Sequence, residues 1–152
     1  MSNNKIRVVA TNRKARHDYI ILSTVEAGIA LLGTEVKSIR NGNINLKDSY
    51  AALRGGEFFL VGTHIGKYPP ANRFNHDPER ERKLLLTRRE INKLGGKTTE
   101  RGVTLVPLQV YIKNGLVKVE LGLAKGKRLH DKREAIAKRD FEREKEREWK
   151  MR

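Results

Sequence analysis

The sequence contains no cysteine, so it can form neither a disulfide nor a cysteine-based metal site, and it suits a reducing compartment. It also lacks long apolar runs. The longest apolar patch spans residues 27–32, whereas a membrane-spanning helix needs roughly 20 residues. The sequence has no recognisable signal peptide and no continuous apolar face for membrane anchoring. These absences predict a cytoplasmic protein with no membrane partner.

Acidic and aromatic residues are also scarce. The 152 residues include 33 Lys and Arg but 18 Asp and Glu, which gives a formal net charge of +15. Residues 1–126 carry +11 of this charge and residues 127–152 carry +4. Such a surface is expected to bind a phosphate-rich partner. Because aromatic residues make up only 6% of the chain, the composition favours recognition of a folded RNA by shape and backbone over base stacking on a broad platform.

Catalytic and metal-binding patterns are missing as well. The four histidines are scattered, and the sequence has neither His-Glu-x-x-His nor Gly-x-Ser-x-Gly. Gly96-Lys97-Thr98 resembles the end of a phosphate-binding loop, but Ile91 occupies the position of its first glycine. Asn75-His76-Asp77 could ligate a metal, although in a proline-flanked loop such a triplet more often fixes a turn. We therefore predict no enzymatic activity, no metal and no cofactor.

Residues 1–126 have the pattern of a small β domain. Short apolar runs are separated by turn sequences at the roughly 8–12-residue spacing of β sandwiches and barrels. Arg54-Gly55-Gly56 and Asn114-Gly115 predict hairpin turns, and Glu26-Ala27-Gly28 predicts a further turn. The pattern favours a mainly β fold, a small antiparallel oligonucleotide-binding (OB-like) barrel. The predicted strands are residues 6–10, 18–22, 29–32, 44–53, 57–61, 103–112 and 116–123.

One or two short helices accompany these strands. Residues 34–40 predict a helix of one or two turns. Thr87 and Glu90 form a capping-box pattern at the start of a second helix, which Gly95-Gly96 is expected to end. Residues 66–78 have no periodicity and predict a loop.

The C-terminal residues 127–152 differ from the body in composition. They are mostly charged and have no continuous apolar stripe. Attractive and repulsive charge pairs at helical spacing are each worth about 0.2–0.5 kcal/mol and roughly cancel, while helix nucleation is costly without packing. We predict two parts: an RNA-binding barrel over 1–126, and a basic hinge and tail over 127–152. The tail is expected to be disordered alone and helical when a partner supplies contacts.

Three separated basic clusters are the main positive signal for function. They are Asn12–His17 with Tyr19, Lys37 with Arg40, and Arg80–Lys83. Any one of them could be an ordinary solvated surface. All three on one small basic barrel favour RNA or DNA, because the planar arginine fork contacts phosphate through two N–H groups and stacks on bases.

Six stretches of the chain match the motifs of one known family, in family order over about residues 6–140. They are Asn12-Arg13-Lys14-Ala15-Arg16-His17-Asp18-Tyr19, Glu26-Ala27-Gly28 with Gly33–Arg40, Asp48-Ser49-Tyr50, Asn75-His76-Asp77-Pro78, Arg82-Lys83-Leu84-Leu85-Leu86, and Ala124–Arg133. One such stretch would be weak support, but six together are highly specific. By these motifs the chain resembles the SsrA-binding protein (small protein B, SmpB) family of bacterial trans-translation.

The resemblance implies a barrel that binds the tRNA-like part of transfer-messenger RNA (tmRNA, SsrA RNA) at its elbow. It also implies help with alanine charging by alanyl-tRNA synthetase, delivery with elongation factor Tu, and entry into the empty decoding site of a stalled ribosome. In such a protein the body and its RNA replace the missing anticodon arm. The C-terminal tail enters the vacant mRNA channel and becomes helical there. The family is thus expected to act as a non-catalytic adaptor in ribosome rescue, as a monomer when bound.

The clusters and the resemblance together nominate two groups of site residues. Within the hinge group, His130 is expected to stack on a decoding-centre base, and Lys132 and Arg133 to hold phosphate. The residues nominated for tmRNA binding are Asn12, Arg13, Lys14, Arg16, His17, Tyr19, Glu26, Lys37, Ser38, Arg40, Lys83 and Leu85, and those nominated for ribosome binding are Lys125, Gly126, Lys127, His130, Asp131, Lys132 and Arg133.

Three of these residues align with family positions that are important for tmRNA binding: Asn12, Glu26 and Leu85. Asn12 can hydrogen-bond a base or a ribose, and Leu85 is expected to support the surface from below. Glu26 repels phosphate, so it has several possible roles. It could accept from a base amino group, orient Arg16 or Lys37, or fix the predicted turn that follows it.

The chain departs from the family pattern in two places. Thr87 stands where His or Asn is often expected, and the acid-rich residues 142–152 match only loosely, so tail contacts are not carried over.

Two other hypotheses remain beside the adaptor. A ribosomal protein or general RNA chaperone of the same fold would lack selectivity for one RNA, and an RNA-modifying enzyme would show turnover on bound RNA.

Overall fold

The computed structural model describes residues 5–127, which fold into a β barrel with short helices on its outside. A 3-10 segment, Pro69–Phe74, has non-helical backbone at Asn72 and lies in the loop between the strands His64–Ile65 and Arg82–Leu85. The strands are β1 (Ile6–Thr11), β2 (Tyr19–Ile29), β3 (Ile44–Asn45), β4 (Tyr50–Arg54), β5 (Glu57–Val61), β6 (His64–Ile65), β7 (Arg82–Leu85), β8 (Val103–Lys113) and β9 (Leu116–Gly126), and the helices are α1 (Arg13–Asp18), α2 (Gly33–Arg40) and α3 (Arg88–Thr98).

The strands close on themselves through antiparallel pairs. The hydrogen-bonded order β8-β4-β5-β7-β2-β9 is completed by pairing of β9 with β8, and β1 pairs with β8 beside this ring. β3 and β6 form a separate two-stranded sheet. This architecture confirms the predicted mainly β, small antiparallel barrel with short helices. Among residues 5–127, no helix has the length and apolar character needed to cross a membrane.

The core follows from the alternation of side chains along the strands. Apolar residues near the middle of the inward face of β8 and β9 are buried, while their neighbours along each strand point outward. A second, smaller cluster lies on the outer face, where Ala15 of α1 covers Val106, Leu108 and Ala124. The main core contains Ala27, Ile39, Leu46, Ala51, Phe58, Leu60, Ile65, Leu84, Ile91, Leu94, Leu105, Val110, Val119, Leu121 and Leu123.

Local turn and cap signals are confirmed. β4 and β5 pair across Gly55 and Gly56, both of which have positive φ. β8 and β9 pair across Asn114 and Gly115, again with positive φ. Such a conformation suits two-residue hairpin loops. The Thr87 hydroxyl accepts from the Glu90 N–H at 3.2 Å, and the Glu90 carboxylate accepts from the Thr87 N–H at 2.9 Å, so the predicted capping box is present.

The prediction that α3 stops at Gly95-Gly96 is wrong. The helix continues to Thr98, because Ile91 and Leu94 anchor it on the core. The Thr98 hydroxyl then donates to the Gly95 carbonyl at 3.1 Å, which satisfies one of the last carbonyls of the helix. Tertiary packing therefore outweighs the low helix propensity of two glycines.

The predicted turn at Glu26-Ala27-Gly28 is also wrong, and so is the separate strand predicted after it. β2 runs unbroken to Ile29 and pairs with β9 from Tyr19↔Gly126 to Gly28↔Lys118. Gly28 serves close approach instead: a Cβ atom there would lie 3.2 Å from the Leu85 Cβ of β7. The first strand of the β4–β5 hairpin was likewise predicted too long, since residues 46–49 lie outside any strand.

Candidate nucleic-acid interface

Helix α1 presents the first basic cluster to solvent. Its single buried side chain, Ala15, packs on β8 and β9. The three basic side chains around it, Arg13, Lys14 and Arg16, are exposed. Lys14 Nζ lies 2.6 Å from Asp48 Oδ1, and this bond raises the pKa of Lys14 and lowers that of Asp48. Helix geometry thus turns a short basic run into a cationic surface held on the barrel.

Asn12 lies beneath this surface and not on it. Its side chain is buried, and its amide nitrogen donates to the carbonyls of Pro107 at 2.8 Å and Leu46 at 3.3 Å. Its amide oxygen accepts from the Ala15 N–H at 3.1 Å, so Asn12 is the N-cap of α1. The expected hydrogen bond to a base or ribose is therefore corrected, because these groups are engaged within the protein. Asn12 fixes the position of α1.

Glu26 lies in mid-strand, facing outward from β2. It accepts from the Tyr111 hydroxyl of β8, and Lys113 Nζ is 3.5 Å from its carboxylate. The Tyr111 bond holds the pKa of Glu26 below its ordinary value, although partial burial opposes the shift. Burial and the same bond raise the pKa of Tyr111. Glu26 does not pair with Arg16 or Lys37 in the structure, and it fixes no turn, so these two expectations are corrected.

Arg16 pairs with a different carboxylate. Its Nη2 lies 3.3 Å from Glu120 Oε1 of β9, and the other oxygen of Glu120 accepts from Gln109 Nε2 of β8 at 3.2 Å. Sequence reasoning missed Gln109, Glu120, Tyr111 and Lys113 as members of this surface. The available signal was the alternation of polar, outward-facing residues within the two long strands.

Helix α2 carries the second cluster. Lys37 and Arg40 are exposed, and Lys37 Nζ lies 5.4 Å from the centre of the Tyr68 ring. Ser38 is buried beside Ile39, and its hydroxyl has no hydrogen-bond partner among the described residues. The expectation that Ser38 meets RNA is therefore corrected, because the helix turns it toward the core.

Only part of the third cluster lies on the surface. Arg82 is 0% exposed, and its Nε lies 2.5 Å from Oε2 of the equally buried Glu35. Arg80 Nη2 lies 2.5 Å from the other oxygen of Glu35. Burial raises the pKa of Glu35, but the bonds from Arg80, the Leu32 N–H and Arg82 outweigh it and lower the pKa. Two of the three cations in Arg80–Lys83, Arg80 and Arg82, are thus paired with Glu35 inside the protein.

Two nominated residues near this end of the barrel remain on the surface. The Lys83 side chain is 45% exposed, with Nζ 3.9 Å from a Glu57 oxygen. Leu85 is 51% exposed and lies beside Gly28 at a groove of about 280 Å³. The expectation that Leu85 supports the surface from below is corrected, since its side chain forms part of that surface.

Two of the nominated hinge residues lie within the barrel. Lys125 and Gly126 belong to β9, where Gly126 is opposite Tyr19 and Lys125 is opposite both Ile20 and Val103. Lys127 is the last described residue, and its Nζ lies 3.5 Å from the Arg16 carbonyl. The remaining hinge residues His130, Asp131, Lys132 and Arg133, and the tail prediction, lie outside the described residues.

Histidine has a structural role in the loop after the 3-10 segment. His76 is buried, with Nδ1 2.8 Å from the Thr34 hydroxyl and Nε2 2.8 Å from the Ile65 carbonyl. Within residues 5–127, no three His, Asp or Glu side chains come together as metal ligands.

A cleft of about 380 Å³ lies beside α1, lined by Lys14, Asp18, Tyr19 and Tyr50 among others. The nominated residue Tyr19 lines this cleft, and the exposed His17 has its Nδ1 3.0 Å from Asp18 Oδ1.

The chain is similar to known proteins over nearly its whole length. The sequence model of a family described as SmpB protein matches residues 9–151. A protein of Acetivibrio thermocellus named SsrA-binding protein is 64% identical over 144 residues, which are 95% of this chain and 94% of that protein. A protein of the same name from Geobacillus thermodenitrificans is 59% identical over 152 residues, which are 100% of this chain and 98% of that protein. A solved structure described as "tmRNA-SmpB: a journey to the center of the bacterial ribosome" superposes with a TM-score of 0.67 at 50% identity, covering 78% of this chain and 83% of that one.

Proposed function

Because this chain belongs to the SmpB family, we propose that it is an RNA-binding adaptor that binds tmRNA and delivers it to stalled ribosomes for trans-translation. The observation that carries the proposal is the family match over residues 9–151, with 64% identity to a protein named SsrA-binding protein. The likeness to a structure described as tmRNA-SmpB on the bacterial ribosome adds the ribosome as a partner. The protein acts without catalysis of its own.

The tmRNA-binding surface comprises the exposed cations of α1 and α2 with the neighbouring outer face of the barrel. Exposed positive side chains suit the phosphate backbone and shape of a folded RNA. Asn12 contributes from beneath by capping α1, and Ser38 is buried under α2. The residues that meet the RNA are Arg13, Lys14, Arg16, His17, Tyr19, Glu26, Lys37, Arg40, Lys83 and Leu85.

The residues after β9 serve the second partner. Lys127, His130, Asp131, Lys132 and Arg133 meet the small-subunit decoding site, and the tail enters the empty mRNA channel. Lys125 and Gly126 hold the start of this segment on the barrel. Alanyl-tRNA synthetase and elongation factor Tu act on the same RNA, and the protein is a monomer when bound. A body and a tail with different RNA partners would respond only to a ribosome without downstream messenger.

The test is to purify the protein from its host in mild salt and sequence the RNA that accompanies it. We expect one tmRNA to dominate, and to remain dominant after deletion of residues 127–152. A broad mixture of RNAs would contradict the adaptor function and leave a general RNA-binding barrel. Loss of the RNA on deletion would contradict the assignment of recognition to the body.

A further inference from the structure

The outer face of β2, β9 and β8 carries two carboxylates side by side. In the strand register Glu26 is directly opposite Glu120, and Glu120 is directly opposite Gln109. Like charges directly opposite each other destabilise an antiparallel pair. The repulsion between Glu26 and Glu120 must therefore be offset by cations or hydrogen-bond donors around them.

Each carboxylate holds donors that come from a different element. Glu120 binds Arg16 of α1 at 3.3 Å and accepts from Gln109 of β8 at 3.2 Å. Glu26 accepts from Tyr111 and lies 3.5 Å from Lys113, both on β8. The arrangement links the helix and three strands through side chains, and it leaves the charges of the two glutamates locally balanced.

Arg16 has the chemistry that benefits from being held. Its side chain is 51% exposed, so it can reach a partner, and a free arginine side chain loses much rotamer entropy when it is ordered on binding. One N–H of its guanidinium engages Glu120, which leaves other donors of the planar fork free for phosphate. Gln109 fixes the second oxygen of Glu120 and thereby its orientation.

We propose that Glu120 is a positioning residue for RNA binding, which holds the Arg16 guanidinium in place for phosphate on the outer face of the barrel. The inference rests on the proposed role of Arg16 in tmRNA binding. For removal of the Glu120 charge, the proposal predicts a change in RNA affinity opposite to the one that net charge alone predicts. Removing a carboxylate from a body of net charge +11 should strengthen the attraction to RNA, whereas loss of positioning weakens it.

The experiment uses the full chain and a labelled tRNA-like fragment of tmRNA in an equilibrium binding titration at several salt concentrations. Glu120→Gln is expected to weaken binding about threefold, within the range of measured couplings of partly exposed ion pairs. The matched control is Glu100→Gln, which removes the same charge in the exposed turn before β8. This control is expected to bind as tightly as the unaltered protein or slightly more tightly.

A second pair of variants separates positioning from a general loss of structure. In an Arg16→Ala background, Glu120→Gln should no longer weaken binding, because there is no guanidinium to hold. A defect in the barrel would weaken binding equally in both backgrounds. The proposal is overturned if Glu120→Gln binds as tightly as Glu100→Gln, or if its loss persists with Ala at position 16.

Failure of the proposed function has a different signature. If the unaltered protein binds an ordinary tRNA as tightly as the tmRNA fragment, the adaptor function fails. The affinities of the Glu120→Gln, Arg16→Ala and double variants on either RNA still decide whether Glu120 acts through Arg16.

Discussion

The buried ion pair between Glu35 and Arg82 gives the most direct test of the folded barrel. Both side chains are 0% exposed, and Glu35 accepts from Arg82 Nε at 2.5 Å, from Arg80 Nη2 at 2.5 Å and from the Leu32 N–H at 2.8 Å. In Glu35→Gln the side chain keeps its shape but loses its charge. It also presents an NH₂ group to one of the arginines in place of an acceptor.

The expected loss is large because Arg82 stays buried without its counter-charge. Removing one partner of a buried pair typically costs about 3–5 kcal/mol. Arg82 still donates to the carbonyls of Thr63 at 2.7 Å and Pro78 at 3.1 Å, so we expect the lower end, about 3 kcal/mol. Since domains of this size have about 5–15 kcal/mol of stability, the variant should still fold.

The measurement is urea unfolding followed by far-ultraviolet circular dichroism, because the single tryptophan, Trp149, lies outside the described residues. The control is Glu81→Gln, which removes an exposed carboxylate bound to Arg54. Its unfolding midpoint should match that of the unaltered protein within error. If the midpoint of Glu35→Gln falls no further than that of the control, the argument from an uncompensated buried charge is refuted.

Three more outcomes follow from the structure. Folding lowers the pKa of Glu35, so the ionised Glu35 stabilises the protein above pH 4.5, its ordinary pKa, and this contribution is lost as the pH falls below that value. The difference in stability between the unaltered protein and Glu35→Gln should therefore shrink in urea titrations below that pH. Gly122→Ala should lower the stability of the protein by about 1–3 kcal/mol, since the added Cβ would lie 2.8 Å from a fully buried leucine side chain of β8. Gly96→Ala adds its Cβ in open space within a helix and should raise the stability by about 0.5–1 kcal/mol. Thermal unfolding of both variants checks the two signs. Arg16→Ala should weaken tmRNA binding and reduce its salt dependence. Arg133→Ala should leave RNA affinity unchanged and impair trans-translation in a reconstituted assay. Equal effects of the two variants on both assays would contradict the assignment of RNA binding to the body and of ribosome function to the tail.

The features that sequence predicted correctly have local causes. Gly55-Gly56 and Asn114-Gly115 supply positive φ within two residues, and the hairpins follow from that freedom. Thr87 and Glu90 bind each other three residues apart. Signals of this range can be recognised without knowing what the rest of the chain does.

The errors came from contacts between residues distant in sequence. The Arg80–Lys83 cluster is predicted to form part of a basic RNA-binding surface, but Glu35, more than forty residues earlier, draws Arg80 and Arg82 inward. The sequence predicts a turn at Gly28 because nothing local shows that Leu85 of β7 lies next to it. Asn12 carries an amide that could bind RNA, but this amide donates to the Pro107 carbonyl, which comes from a strand near the other end of the domain.

The length of β9 determines how body and tail can be separated. The strand pairs continue to Lys125 opposite Val103 and Gly126 opposite Tyr19, so the chain remains fixed to the barrel through Gly126. Because Gly126 lies in a strand and lacks the positive φ of the turn glycines, its place in the predicted hinge is not explained by backbone freedom. A deletion that begins at residue 127 preserves every pair of β9, whereas one that begins at residue 124 removes the partners of Ile21 and Thr104. Only the first deletion separates the function of the tail from the folding of the body.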